Sequence, residues 1–121
     1  MSKDKIQNQQ LLPEERVRQW FISLLESCGV ERYRISTEYP VIISGRRLRV
    51  DIAIFGRGTK SITAIVECKA PEVPLTTKVI TQAAVYNSII CARYIIATNG
   101  KKTFIWDSHT KEFLTELPSN L

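Results

Sequence analysis

Glu67 and Lys69 stand where charge is costly. They interrupt Ala64-Ile65-Val66-Glu67-Cys68-Lys69-Ala70-Pro71, an apolar, β-branched run that reads as a buried strand. Strand side chains alternate, so Glu67 and Lys69 share one face, roughly 7 Å apart, and Val66 and Cys68 share the other. The chain upstream offers a second acid. Val50-Asp51-Ile52-Ala53-Ile54-Phe55 reads as a strand, Gly56 to Lys60 as a loop and Ser61 to Lys69 as the returning strand. With the hairpin centred on Thr59, Asp51 faces Glu67, Ala53 faces Ile65 and Phe55 faces Thr63. Direct partners of this kind have Cβ atoms about 4.5–5.5 Å apart. Two carboxylates that close repel unless a cation lies between them. Mg²⁺ is the economical answer, because it binds through one or two carboxylates and keeps several waters. Such an ion polarises a phosphoryl oxygen and lowers the pKa of a bound water. Lys69 is placed to orient or help deprotonate that water, or to neutralise charge building on the phosphate. The chemistry is metal-assisted phosphodiester hydrolysis. An acid-x-Lys triplet arises by chance about once in a chain of this length, so the bland alternative is a salt bridge at a strand end. The conjunction carries the reading: an apolar strand, Asp51 in register, and Pro71 just beyond.

The elements that must position these groups follow from periodicity. Pro13 opens a helix with Glu14 and Glu15 in its first turn, where the macrodipole favours acids. Val17, Trp20, Phe21, Leu24, Leu25 and Cys28 form one apolar face, and Gly29 supplies the stop. Tyr33 to Tyr39 reads as a strand limited by Pro40, with Ile42-Ile43 continuing towards a turn at Ser44-Gly45. Arg46 to Arg49 leads into the strand from Val50. After Pro71, Thr76 or Thr77 caps a helix over Lys78 to Cys91, whose face includes Val79, Ala83, Tyr86 and Ile90. Arg93 to Ala97 is an apolar strand, Asn99-Gly100 a two-residue hairpin signal, and Thr103 to Trp106 the return. Lys111 to Leu117 offers a short amphipathic helix. The order α-β-β-β-α-β-β predicts an α+β domain, a mixed sheet with helices packed on it. Residues 1–12 read as a disordered lead-in and 13–121 as a single domain.

Composition sets the frame. The chain has 121 residues and a net charge of +5, which favours an acidic partner such as nucleic acid. No segment has the length of a membrane span, and the polar start lacks a signal-peptide core. Cys28, Cys68 and Cys91 show no CxxC spacing and read as reduced core thiols of a cytoplasmic protein. His109 is the only histidine, which argues against zinc or a histidine-based triad. Arg46, Arg47, Arg49, Arg57, Lys60, Lys78, Lys101 and Lys102 crowd around the proposed site as candidate phosphate contacts.

Asp51 followed by Glu67-x-Lys69 at the end of the third strand resembles the PD-(D/E)XK nuclease superfamily, whose restriction-endonuclease-like αβββαβ core, three-layered with a central mixed sheet and flanking helices, matches the order above. The sequence is most similar to the N-terminal nuclease domain of the type I restriction enzyme R (motor) subunit and its stand-alone relatives. The matching words are Pro13-Glu14-Glu15-Arg16-Val17-Arg18-Gln19, Arg49-Val50-Asp51-Ile52, Ile65 to Pro71, Gln82-Ala83-Ala84-Val85-Tyr86-Asn87 and Thr98-Asn99-Gly100. The resemblance implies that Asp51 and Glu67 are metal ligands, with the Cys68 carbonyl oxygen a candidate third, and that Lys69 is the catalytic lysine. It implies a supporting or DNA-contacting role for Gln82 and Tyr86, which look like a QxxxY motif and are i, i+4 neighbours on a helix; Tyr86 is equally suited to the core. Arg49 joins them as a backbone contact. An acid of the first helix often assists in such proteins, and the helical wheel favours Glu14 over Glu15. Val50 replaces the proline of the superfamily name. There is no GxxxxGK(S/T) loop and no room for helicase domains.

The expectation is therefore a cytoplasmic, Mg²⁺-dependent deoxyribonuclease, Mn²⁺ substituting. Its partners would be DNA, a second copy in a homodimer, and helicase, motor or specificity proteins acting in trans, with no membrane. Two alternatives keep the same fold: a non-catalytic nucleic-acid-binding or assembly module, and a small resolvase of branched DNA (a Holliday junction).

Overall fold

The computed structural model describes residues 11–121; the lead-in expected over residues 1–12 lies, for its first ten, outside them. Helix α1 spans Pro13–Ser27, with Pro at its first position and Glu14 and Glu15 in the first turn. Its end is a Schellman closure: the Gly29 amide donates to Glu26 O, the Val30 amide donates to Leu25 O, both at 3.0 Å, and Gly29 takes φ +95°. The buried face is Val17, Phe21, Ile22 and Leu25. Ile22 takes the place expected for Trp20, which is 44% exposed.

Six strands follow: β1 Ile35–Ile43, β2 Arg46–Phe55, β3 Ile62–Cys68, β4 Tyr94–Thr98, β5 Thr103–Asp107 and β6 Glu112–Leu114, with helix α2, Thr77–Ile90, between β3 and β4. They lie in sequence order in one sheet. Every neighbouring pair is antiparallel except β3 and β4, which the α2 crossover makes parallel. On one face α1 packs against Ile52, Ile54, Val66, Cys68 and Ile96. On the other, Ala83 and Tyr86 of α2 pack against Val50, Ile65 and Ile95. The fold is the expected α+β sandwich of helix, mixed sheet and helix, and no helix among the described residues is long and apolar enough to cross a membrane.

Several local expectations are corrected. A 3₁₀ turn at Arg32–Arg34 replaces the first residues of the expected strand. β1 then runs through Pro40, which is tolerated because β1 is an edge strand and one side of it needs no donor. Thr76 sits at the N-cap of α2 without a side-chain capping bond. The β4–β5 connection is four residues long, since Thr98 pairs with Thr103. Asn99 explains it: Oδ1 accepts the Lys101 and Lys102 amides at 2.9 and 2.8 Å, and Nδ2 donates to Val73 O at 2.8 Å. The expected C-terminal helix is strand β6, and of the three free cysteines only Cys68 is buried.

The β1–β2 ladder contains an irregularity that matters for the site. Ile35 and, on β2, Ile52 and Ile54 belong to the α1 side, whereas Tyr39, Val41, Leu48 and Val50 belong to the α2 side. Residues an even number apart on one strand share a face in a regular pleat, so the alternation inverts on both strands. The inversion falls at Glu38, a non-glycine residue with φ +51°, and at its neighbour Asp51, which is missing from an otherwise continuous register.

Candidate active site

β2 and β3 hold the expected register over three pairs: Ile52 pairs with Val66, Ala53 with Ile65 and Ile54 with Ala64. Beyond Ile54 a bulge intervenes and Phe55 pairs with Ile62, not Thr63; the Thr63 hydroxyl donates to Ile54 O at 3.1 Å. The register is thus correct towards the strand end and wrong beside the loop, where the extra residue is absorbed.

At that strand end, the Cys68 amide donates to Asp51 Oδ2 at 2.7 Å, and the Lys69 amide continues the ladder to Thr98 O at 2.9 Å. Asp51 is half-buried and Glu67 only 6% exposed. The Asp51 and Glu67 carboxyl groups interact electrostatically with each other. Burial, and then the Asp51 charge, push the Glu67 carboxyl up to about 8, opposed by Lys69. Burial also raises Glu14, followed by the Asp51 charge, while Lys69 and Arg18 lower it. Three acids and a lysine therefore share one electrostatic neighbourhood, and Glu14, not Glu15, is the α1 acid coupled to Asp51. No ion pair among the described residues includes Asp51, Glu67 or Lys69. The strand-end salt bridge is not what this arrangement makes.

Tyr86 is 8% exposed in the α2-side core, and Gln82 Nε2 donates to its hydroxyl at 3.4 Å. Burial raises the Tyr86 phenol, with the Glu67 charge next, so the ring is a core group whose hydroxyl belongs to the site's surroundings. Arg49 is exposed and pairs with Glu38 at 3.7 Å. The Cys68 thiol faces the α1 core, where burial and then the Asp51 and Glu67 charges push it above its ordinary range. It is a packing group.

Arg18 is a residue that motif reading passed over. It lines a cleft of about 220 Å³ with Glu14, Glu38, Asp51 and Cys68. Its Nη1 reaches Glu38 Oε1 at 3.5 Å, while its buried Nε has no hydrogen-bond partner among the described residues. The available signal was its i, i+4 spacing from Glu14.

The donor set fits a hard divalent cation. Among the described residues no three His, Cys, Asp or Glu side chains form a ready cage, but Mg²⁺ needs only one or two carboxylates and completes its shell with water. The unfavourable Asp51–Glu67 pair is what such an ion would relieve.

The family model for the type I restriction enzyme R protein N terminus matches residues 13–118. Among solved structures, a fragment of a protein assigned as the HsdR subunit of a type I restriction enzyme from Vibrio vulnificus is similar to the chain, with a TM-score of 0.68 and 22% identity. The match covers 88% of this chain and 24% of that one, so the chain spans about a quarter of its relative's length. No curated protein matches.

Proposed function

Because the chain belongs to the type I restriction enzyme R protein N-terminal family, we propose that it is a Mg²⁺-dependent nuclease domain acting on DNA phosphodiesters, with Mn²⁺ able to substitute. The observation that supports this most is the half-buried Asp51 beside the buried Glu67 at the end of β3, with Lys69 next to them and no ion pair on any of the three among the described residues. Asp51 and Glu67 are the residues to hold the ion, with the Cys68 carbonyl as a further oxygen. A bound Mg²⁺ supplies a Lewis acid for a phosphoryl oxygen and a water of lowered pKa. Asp51 is fixed in place by the Cys68 amide. Lys69 orients or deprotonates the attacking water and offsets charge developing on the phosphate. Glu14 adds negative charge near the water, and Arg18 lies beside Asp51 for a phosphate oxygen. The partners this reading carries are DNA and the other components of a type I restriction assembly.

Nicking of supercoiled plasmid in Mg²⁺ or Mn²⁺ tests the proposal. Cleavage that EDTA abolishes is expected, and cleavage indifferent to EDTA contradicts it. A second reading on the same fold is a DNA-binding module without turnover, consistent with the net charge of +5. It predicts salt-dependent DNA retention unchanged in Asp51→Asn and no nicking with any metal.

A further inference from the structure

The same sheet face that presents Glu67 carries an aromatic cluster. Glu67 pairs with Ala97 and Ala97 with Phe104, so the three lie in one row across β3, β4 and β5. The next row is Ile65, Ile95 and Trp106, and Trp106 pairs in turn with Phe113 on β6. Ile65, Ile95 and Trp106 all belong to the α2 side, which places Phe104, Trp106 and Phe113 there too. Adjacent strands are about 4.8 Å apart, so Phe104 lies roughly 10 Å from Glu67. That is about three stacked nucleotides at ~3.4 Å rise.

The cluster has the composition of a stacking surface. Phe113 meets Trp106 at 4.8 Å and Phe104 at 6.2 Å between ring centroids. Phe113 is 56% exposed although it is a large apolar residue on an edge strand. Helix α2 packs chiefly on β1, β3 and β4, and at this end of the face Phe104 and Trp106 are half-buried. Lys101 and Lys102, in the turn just before β5, are exposed and form no ion pair among the described residues. Aromatic rings beside free cations on an open sheet are how unpaired nucleic-acid strands are held, the rings stacking bases and the cations tracking phosphates.

We propose that Phe104, Trp106 and Phe113, with Lys101 and Lys102, form a stacking platform for unpaired bases of a DNA strand whose backbone passes Glu67. The proposal rests on the nuclease reading for the identity of the strand and makes that strand locally single-stranded. Recognition is by ring faces, so it is tolerant of sequence.

The test is binding of a fluorescein-labelled oligothymidylate in EDTA, where no cleavage occurs. The protein carries Trp20→Phe so that Trp106 is the remaining indole. Saturable binding that quenches Trp106 is expected. Phe113→Leu should weaken binding about tenfold and Phe113→Tyr should preserve it, since stacking needs a ring and not merely apolar bulk. Binding of a blunt duplex of the same length should be equal in all three proteins. Equal oligothymidylate affinity in Phe113→Leu, or binding without quenching, overturns the proposal. So does a change confined to sedimentation, which would make the cluster a contact between copies of the chain. The nicking assay is separate: nicking without Phe113-dependent binding removes the platform and keeps the nuclease, and the converse result does the reverse.

Discussion

Glu67 concentrates the chemistry of the molecule in one side chain. Its folded-state carboxyl titrates near 8 and its unfolded one near 4.5. Between those values the folded, metal-free protein holds a proton that the unfolded chain releases. The Glu67 contribution to stability is therefore full below about pH 4.5, falls as pH rises towards 8, and levels off above it, by roughly 1.4 kcal/mol per pH unit at the steepest. Thermal unfolding in EDTA should show a melting temperature that declines from pH 5 to pH 8. Glu67→Gln should flatten that decline, and Mg²⁺ should restore wild-type stability at pH 8 because it favours the ionised pair. A flat wild-type profile would remove the proposed strain. The β2–β3 register from Ile52–Val66 to Ile54–Ala64 was legible because loop symmetry and strand parity are short-range rules. Arg18 was not, because its relation to Asp51 arises only when α1 docks on the sheet.

At the scale of elements, the structure departs from the sequence reading where one residue reorganises a turn or a pleat. Asn99-Gly100 has the sequence of a tight hairpin, yet the Asn99 side chain caps two amides and ties the turn to Val73. Asn99→Ala strands those groups and should cost about 1–3 kcal/mol, seen as a lower urea midpoint with an unchanged slope. Glu38 inverts the pleat from a left-handed conformation that favours glycine. Its ion pairs with Arg18 and Arg49 are long, at 3.5 and 3.7 Å, and its side chain is more than half exposed, so they contribute little. Glu38→Gly should thus be neutral or stabilising by up to about 1 kcal/mol, and Glu38→Val destabilising by about 1–3 kcal/mol. The opposite order would mean that the inversion depends on the carboxylate. No propensity scale marks a mid-strand Glu for this role, because the conformation is imposed by two halves of a ladder packing on opposite helices.

The whole molecule divides its work between two faces. One core, centred on Phe21 and Leu25 of α1, fixes the sheet from below; Phe21→Ala should cost about 3–5 kcal/mol in equilibrium unfolding. The other, built on Ala83 and Tyr86 of α2, borders the site. Between them the middle of β2, the end of β3 and the first turn of α1 bring together acids from two strands and one helix. The layer order and the helices were legible because apolar periodicity over 14 or 15 residues survives packing. The last strand was not, because three residues at Glu112–Leu114 show no period and owe their form to β5. What this architecture is for turns on Lys69. Plasmid nicking by wild type and Lys69→Ala, side by side in Mg²⁺, measures it most directly. A loss of about 10²-fold or more is expected in the variant. Nicking by Lys69→Ala within a few-fold of wild type would contradict it.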